Sequence, residues 1–515
     1  MEKILKKLKK LLRLIFGRTT LGTLFLLIQI LVLFAGFDWF REYLIYMYGG
    51  SAILSALILI YIISDEGNST IKLSWVVPIL VFPVFGTLFY LFLTLQPGTH
   101  RINRRIEEVG TKLRPYLLQD PEVLAHYESI SASGGNLVRY MNQYGRFPAY
   151  ENTGARYFPL GDDMFPVLLE ELKKAEHFIF MEYFIINNGI MLENILDILK
   201  EKASLGVDVR IIYDDMGSIA MLSTNYPKQL STYGIKCISF NKVSPFKGIF
   251  MNNRDHRKMT IIDGKVAFSG GVNISDEYIN INSKLGVWKD NGIKIEGDAV
   301  FNFTVMFCSL WNANIKEDED LLKFKYDFSN KKCNNGYVLP YGISPIYKPF
   351  VAEDVYINII NSAKKYVYIM TPYLIIDTDM QNTLVRAAKR GVDVKIIVPG
   401  VPDKKIVYTQ TSSFFPYLTK NGVKICKYND GFVHSKVFVS DDTKAVVGTI
   451  NMDYRSLYLH FENAIYMENV KEIKNIKKDV LDTLDNCTIL TNKNVKVGFF
   501  KGIWQSILRL FAPLF

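Results

Sequence analysis

Cysteine is scarce in this chain, and its few copies are scattered. The 515 residues include only five cysteines, and no two of them form a C-x-x-C pair. This argues against a disulfide framework or a zinc knuckle and favours a reducing compartment. Charged residues are also few, at 22% of the chain, whereas 13% are aromatic. That composition excludes an intrinsically disordered protein.

Acidic residues are outnumbered by basic ones, and the chain is apolar on average. There are 61 lysines and arginines against 51 aspartates and glutamates, which gives a net charge of +10. The mean hydropathy is nevertheless positive, at +0.10. This combination predicts membrane segments attached to a basic body that suits an anionic partner.

The apolar residues are concentrated near the N-terminus, in residues 19–99. Residues 1–18 combine basic residues with leucines and isoleucines at helical spacing, which predicts an amphipathic helix on an anionic bilayer. A signal-peptide n-region is the alternative, although a small-residue cleavage site is poorly matched. Three uncharged stretches follow at 19–37, 43–64 and 73–95, each close to the ~20 helical residues that span a bilayer. Their short connectors favour a transmembrane helical hairpin for the last two.

Basic residues flank these stretches on both sides, which constrains the topology. The positive-inside rule places both flanks in the cytoplasm, and three full spans cannot satisfy it. Either the first stretch is interfacial or re-entrant, or one flank breaks the rule. We expect a spanning hairpin and a cytoplasmic catalytic body, and the first stretch is left open between these alternatives. Residues 100–154 are expected to form a linker to that body.

An internal repeat organises the rest of the chain. Gly206–Ile212 recurs with conservative changes as Gly391–Ile397. Apolar β-branched runs alternate with helical patterns around both copies, as in α/β proteins. We therefore predict two α/β halves, 155–330 and 331–515, related by a pseudo-twofold axis with a site at their interface.

The chain ends in a second amphipathic pattern. Phe500, Trp504, Ile507, Leu508 and Phe511 share one helical face. The pattern suits either a core-packing helix or an amphipathic helix on a membrane surface.

Two of the six histidines begin the same motif, one in each half. The motif is His-x-Lys, followed by an Asp and then by a more distant Asn. The first copy comprises His256, Lys258, Asp263 and Asn273, and the second comprises His434, Lys436, Asp441 and Asn451. A single H-x-K-x4-D is weak evidence, but two copies at equivalent places in a repeat are strong.

The motif suits chemistry at a phosphodiester. On an extended segment, His and Lys of H-x-K point to the same face. Where two such faces meet, Lys and Asn groups stabilise charge on the phosphate oxygens, one neutral His attacks phosphorus, and the other protonates the leaving alkoxide. Neither a metal nor another cofactor is then needed. Asp290 and Glu462 follow the two Asn residues and are candidates to accept a hydrogen bond from the His Nδ1–H groups. Asp263 and Asp441 are candidates for the catalytic set or for a supporting layer around it.

The duplicated motif resembles the phospholipase D superfamily, and the chain is similar to bacterial cardiolipin synthases from about Tyr43 onward. The residues that carry the resemblance are Asp255–Gly264, Gly270–Ile274, Gly431–Lys436, Gly448–Ser456 and Leu508–Phe515. One departure lies in Thr371–Asp377, which lacks the second Pro that is usual before that Asp.

The resemblance implies a two-step phosphatidyl transfer at a bacterial cell membrane, catalysed by a multi-pass protein. His256 takes the phosphatidyl group from one phosphatidylglycerol and releases glycerol, and a second phosphatidylglycerol then accepts that group to give cardiolipin. His434 acts first as acid and then as base. The implied partners are phosphatidylglycerol and other anionic membrane lipids, not nucleic acid, and the oligomeric state is left open.

Three alternatives remain open. The same chemistry in a membrane phospholipase D would hydrolyse the lipid, or it would transfer the phosphatidyl group to another acceptor lipid. A nuclease also fits a basic protein with a phosphodiester site, but the predicted hairpin and the lack of a basic–aromatic RNA-binding motif argue against it. A non-catalytic lipid-binding scaffold is disfavoured because both motif copies are complete.

Overall fold

The computed structural model describes residues 44–94, 97–243, 253–316, 319–329, 334–346 and 348–514. The expected segments 1–18 and 19–37 lie outside these residues. The described chain begins with helices α1 (Leu44–Ser64), α2 (Ser69–Val81) and α3 (Pro83–Thr94). The stretch 73–95 is divided at Phe82, because Pro83 supplies no N–H to continue the first helix. Among the described residues, no helix combines the length and apolarity needed to cross a membrane, and the transmembrane hairpin stays a prediction.

The segment 100–154 differs from the expected linker because it is folded onto the body of the protein. It contains α4 (Pro97–Leu113), α5 (Pro121–Ile130) and α6 (Ala132–Tyr140). Ile106, Leu113 and Leu117 belong to the main hydrophobic core. The polar composition of α4 reflects its solvent-facing side, since a surface helix needs only one apolar stripe to pack.

The first half supplies one side of a large sheet and the helices that cover it. Its strands are β1 (Tyr150–Phe158), β2 (Phe178–Tyr183), β3 (Asp208–Asp214), β4 (Lys236–Phe240), β5 (Lys258–Ile262), β6 (Val266–Gly270), β7 (Val287–Lys289) and β8 (Gly292–Gly297). Its helices are α7 (Gly161–Lys173), α8 (Ile190–Ser204), α9 (Asp215–Ser218), α10 (Tyr226–Ser231) and α11 (Val300–Ile315). Helix α11 is buried along most of its length and packs against α4.

The second half repeats this plan and adds a C-terminal extension. Its strands are β9 (Asn334–Ile343), β10 (Tyr366–Met370), β11 (Leu374–Ile375), β12 (Asp393–Val398), β13 (Lys424–Tyr428), β14 (Gly431–Val433), β15 (Val437–Ser440), β16 (Lys444–Gly448), β17 (Met452–Asp453), β18 (Glu462–Glu468) and β19 (Cys487–Ile489). Its helices are α12 (Val351–Ser362), α13 (Thr378–Lys389), α14 (Lys405–Ser412), α15 (Phe415–Lys420), α16 (Ile473–Asp485) and α17 (Phe499–Leu510). Single turns of 3₁₀ or π helix occur at Arg114–Tyr116, Met141–Gly145, Asp276–Ile279, Leu321–Phe324, Arg455–Leu459 and Ala512–Leu514.

Fifteen of the described strands form one continuous mixed sheet. Their order is β19-β13-β12-β10-β15-β16-β18-β9-β1-β8-β6-β5-β2-β3-β4. The two halves join where β1 pairs antiparallel with β9, and the order on one side of this seam mirrors that on the other. In each half the outer strands are parallel (β2-β3-β4 and β10-β12-β13), whereas the strands nearer the seam are antiparallel. The predicted pair of α/β halves with a pseudo-twofold relation is confirmed.

The C-terminal helix α17 packs on the protein body with one face and exposes apolar side chains on another. It packs on α14, where Gln505 Nε2 donates to Thr409 O at 3.3 Å and Gln410 Nε2 donates to Leu508 O at 2.7 Å. Leu508 is buried by this contact. The opposite face is exposed and apolar, and it comprises Phe499, Phe500, Ile503, Trp504 and Ile507.

Candidate active site

The two motif histidines stand at equivalent places in the two halves. His256 lies two residues before β5, and His434 lies three residues before β15. Their side chains are largely buried, with exposed fractions of 12% and 9%. Lys436 and His434 of the second half both act on the pKa of His256 in the first. The two motif copies therefore lie within electrostatic range of each other.

The carboxylate partners of the two histidines are exchanged between the halves. His256 Nδ1 lies 2.9 Å from both Glu462 Oε1 and Glu462 Oε2, and His434 Nδ1 lies 2.6 Å from Asp290 Oδ2. Sequence reasoning selected both carboxylates but did not show that each serves the histidine of the other half. With Nδ1–H donated to a carboxylate, Nε2 of each ring is the nitrogen that faces a substrate.

Backbone hydrogen bonds also join each histidine to the half that carries its carboxylate. His256 N donates to Phe461 O at 2.9 Å, and His434 N donates to Lys289 O at 2.8 Å. β14, which leads to His434, also pairs in parallel with β7, which leads to Asp290. Each histidine is thus fixed against the segment that carries its carboxylate.

Two asparagines that sequence reasoning missed complete this exchange. Asn463 Oδ1 accepts from Lys258 N at 3.3 Å, and Asn291 Oδ1 accepts from Lys436 N at 3.2 Å. Both are buried and each directly follows one of the carboxylates. The signal was present in the repeat, because Asp290-Asn and Glu462-Asn align.

The two lysines are buried beside their own histidines. Lys258 Nζ donates to His256 O at 2.6 Å, and Lys436 Nζ makes the equivalent bond to His434 O. Their exposed fractions are only 1% and 2%. Two cationic donors are therefore held within the site, close to the imidazoles.

The carboxylates of Asp263 and Asp441, which are candidates for the catalytic set or for a supporting layer, accept hydrogen bonds at turns. The Asp263 carboxylate accepts the backbone N–H groups of residues 176–178, and that of Asp441 accepts those of residues 364–366. Both adopt a left-handed backbone conformation, with φ of 52°. They fix the turns that precede β2 and β10, at the far end of strands β5 and β15 from the histidines.

The motif asparagines lie beside the site and connect neighbouring segments. Asn273 Oδ1 accepts from Ile185 N at 3.0 Å, and its Nδ2 donates to Tyr278 OH at 2.8 Å. Asn451 directly precedes β17 and hydrogen bonds to Asp453. The structure therefore shows both residues in contacts that position the walls of the site.

The chain matches known protein families over most of its length. A family model described as cardiolipin synthase, PLD-like domain, matches residues 168–311 and 356–482. A second, described as phospholipase D-nuclease N-terminal, matches residues 53–93. A cardiolipin synthase of Alkalihalophilus pseudofirmus is 33% identical over 468 residues, which cover 88% of this chain and 91% of that protein. The chain belongs to the cardiolipin synthase family.

Other relatives agree with this family. An uncharacterized protein of Streptococcus mutans is 43% identical over 88% of this chain and 99% of its own length. The crystal structure of a phosphatidylserine synthase of Haemophilus influenzae shares the fold, with a TM-score of 0.54, 14% identity, and coverage of 74% of this chain and 98% of that one. Family membership identifies the chain as a phosphatidyltransferase of the phospholipase D superfamily.

Burial controls the charge state of the bases in this cardiolipin synthase family member. Burial, helped by Lys436, lowers the pKa of His434 to about 4. Burial, Lys258 and the other imidazoles hold the pKa of His256 well below its usual value. Both shifts favour the neutral form of the imidazole at pH 7.

The pKa values of the lysines and carboxyl groups in the site depend on burial and on one another. Burial lowers the pKa of Lys258 to about 7 and that of Lys436 to about 8, against the opposing fields of Glu462 and Asp290. Burial raises the pKa of Glu462 to about 8 in spite of Lys258. Burial alone would raise the pKa of Asp290, but His434 and Lys436 hold it below its usual value. An incoming phosphodiester anion favours the charged form of every lysine and imidazole that it approaches.

The turn role of Asp263 and Asp441 is tested by truncation. Asp263→Ala and Asp441→Ala each remove the acceptor of three backbone N–H groups, so we expect the free energy of unfolding to fall by about 2–3 kcal/mol. The folded fraction should keep a kcat near that of the wild type. Denaturant unfolding and kcat are measured on each variant, with the exposed Asp197→Ala as control. A roughly thousandfold loss of kcat at unchanged stability would place these carboxylates in the chemistry instead.

The exchanged pairing is tested by replacing each carboxylate with its amide. Asp290→Asn should perturb the ring nitrogen resonances of His434 and not those of His256, and Glu462→Gln should do the reverse, because the amide cannot fix the tautomer. Both variants should lose about 10²–10⁴ in kcat. The measurement is nitrogen NMR of protein labelled at histidine, assigned with His-to-Gln variants. A perturbation confined to the histidine of the same half would contradict the exchange.

Proposed function

We propose that the protein synthesises cardiolipin by transferring a phosphatidyl group from one phosphatidylglycerol to another, with release of glycerol. The observation that carries this proposal is the shared site, in which two neutral imidazoles receive exchanged carboxylates and lie beside two buried lysines. A relative named cardiolipin synthase, which is 33% identical to this chain, supports the same reaction. No metal or other cofactor takes part in the proposed reaction.

The first step forms a covalent intermediate. Nε2 of His256 attacks phosphorus, the bond from phosphorus to the glycerol oxygen breaks, and the imidazolium of His434 gives its proton to that oxygen. The phosphodiester anion raises the pKa of His434 from about 4, so His434 takes up a proton from solvent as the substrate binds. Glu462 stabilises the positive charge that His256 acquires as its N–P bond forms.

The second step reverses the roles. A hydroxyl of the second phosphatidylglycerol attacks phosphorus, the N–P bond breaks, and neutral His434 takes the hydroxyl proton. Lys258 and Lys436 stabilise the charge on the non-bridging oxygens in both steps, where preorganised donors have their largest effect. Two phosphatidylglycerols thus give one cardiolipin and one glycerol, and the site returns to its initial protonation state.

The experiment is a product assay in liposomes of pure phosphatidylglycerol with excess EDTA. We expect equal amounts of cardiolipin and glycerol, measured by mass spectrometry. His256→Ala and His434→Ala should each lower the rate at least ~10³-fold, because each removes one of the two chemical groups. His177→Ala is the matched control, since His177 is exposed and outside the site.

Other outcomes of this assay would indicate a different function or mechanism. Phosphatidic acid with glycerol would identify a hydrolase on the same scaffold. If the enzyme is active without EDTA but inactive in excess EDTA, the reaction needs a metal. Substantial turnover in either histidine variant would contradict the shared site.

The proposed place of action is the bacterial cell membrane, with the catalytic halves on the cytoplasmic side. A diacyl substrate presents its phosphodiester at the headgroup plane, so the site must be held at that depth. Several large apolar side chains of the first two helices are exposed, as they are on α17. On α1 and α2 these are Ile53, Leu54, Leu57, Ile60, Tyr61, Ile63, Leu73, Leu80 and Val81. Helix α17 contacts α2, so both apolar surfaces meet the same bilayer in this proposal.

Membrane contact of α17 is tested by fluorescence quenching. In phosphatidylglycerol vesicles that contain lipids brominated near the headgroup, we expect Trp504 to be quenched, because it is 52% exposed. Trp504→Phe should therefore remove much of the quenchable emission, whereas Trp311→Phe should not, because Trp311 is buried. Equal quenching in wild type and Trp504→Phe would show that α17 does not enter the bilayer.

A further inference from the structure

The second half carries a polar pair near the site that the first half lacks. Tyr373 OH donates to Asp403 Oδ2 at 2.7 Å. Tyr373 directly precedes β11, and β11 pairs in parallel with β17, which follows Asn451. The phenol is therefore carried by the segment beside Asn451.

The equivalent position in the first half is apolar. There, an isolated parallel bridge joins Ile186 to Ile274, the residue after Asn273. This makes Ile185 the counterpart of Tyr373. The ring beside His256 is that of Phe184, with centroids 4.8 Å apart. The two motif copies are thus nearly symmetric, but the walls beside them are not.

Asp403 is tied to the segment that carries His434. Gly400 N and Val401 N both donate to Gly431 O, at 3.2 and 3.1 Å, and Gly431 begins β14, which leads to His434. Gly400 allows this close approach, since a Cβ at that position would lie 1.8 Å from Tyr428 O. The loop that ends at Asp403 is therefore held against the segment that leads to His434.

Electrostatics agrees with this placement. Burial and Asp290 raise the pKa of Tyr278, and Asp403 adds to that effect. The Tyr278 ring lies 5.4 Å from that of His434. Asp403 also opposes the effect of burial on the pKa of Lys436. The carboxylate thus faces the half of the site around His434.

We propose that Asp403 and Tyr373 form a subsite for the glycerol headgroup, which binds both the departing glycerol and the hydroxyl end of the acceptor lipid. This inference rests on the proposed function. In an in-line transfer, the leaving and entering oxygens both lie opposite the nucleophile. With His256 as nucleophile, that is the side of His434, where the pair is found.

The chemistry of the pair suits a diol. A carboxylate accepts hydrogen bonds and repels a phosphate, so it selects the uncharged polyol and not the phosphodiester. One hydroxyl of the headgroup reacts at phosphorus, and the neighbouring hydroxyl donates to Asp403. An acceptor that lacks the second hydroxyl loses this hydrogen bond, which lowers its rate of reaction relative to glycerol.

The test is a competition between two acceptors. Vesicles contain a phosphatidyl p-nitrophenol donor, and glycerol and 1-propanol are supplied at equal concentrations. The initial ratio of phosphatidylglycerol to phosphatidylpropanol is measured by mass spectrometry, and it does not depend on the amount of folded enzyme. We expect the wild type to prefer glycerol, and Asp403→Asn and Tyr373→Phe each to lower the ratio by about tenfold.

The control variant is Asp197→Asn, which makes the same chemical change at an exposed position on α8 and should keep the wild-type ratio. An unchanged ratio in both variants would overturn the subsite while leaving the transfer reaction intact. A wild type without any preference for glycerol would overturn it as well. If the wild type forms neither transfer product, the proposed function itself is contradicted, and the subsite with it.

Discussion

The exchange of carboxylates between the halves is the interaction on which the rest of the structure depends. Glu462 of the second half receives His256 of the first, and Asp290 of the first receives His434 of the second. Both carboxylates are fully buried. Removing one partner of such a pair leaves a buried polar group without its hydrogen bond, which typically costs about 1–3 kcal/mol. The two halves therefore support each other's catalytic residues, and neither has a complete site alone.

The continuous sheet makes this exchange rigid. The pairing of β1 with β9 joins the halves through backbone hydrogen bonds, and a buried core extends from α11 across both halves. Such a frame holds the imidazoles and ammoniums in place before the substrate arrives, which is how fixed donors lower a barrier. Two buried lysines and two buried carboxyl groups shift one another's pKa values within this site. A phosphodiester entering this site shifts protons toward the imidazoles, and that shift is what acid–base transfer needs.

Much of the site could be predicted because the two copies of the motif can be compared with each other. Equal spacing in both copies singled out the histidines, lysines and asparagines, and alignment of the following segments added Asp290 and Glu462. The exchange between halves could not be predicted, because aligning a repeat treats each copy separately. Asp263 and Asp441 share the motif spacing with the catalytic groups, but the length of β5 and β15 carries them to the opposite end of the strand. The polar composition of 100–154 suggested a linker. This prediction missed the packed helices because a helix needs only a few apolar residues to pack on a core. The single face predicted for α17 is divided between a buried Leu508 and an exposed Trp504.

The central claim is that one site holds two histidines with different roles, and trapping the intermediate tests it most directly. The enzyme is mixed with phosphatidylglycerol vesicles, quenched within one turnover, digested at neutral to alkaline pH and analysed for phosphatidyl-modified histidine by mass spectrometry. If this claim holds, the peptide that contains His256 is modified in the wild type and is unmodified in His256→Ala. Modification of His434 instead, or turnover to cardiolipin without any modified histidine, would contradict it.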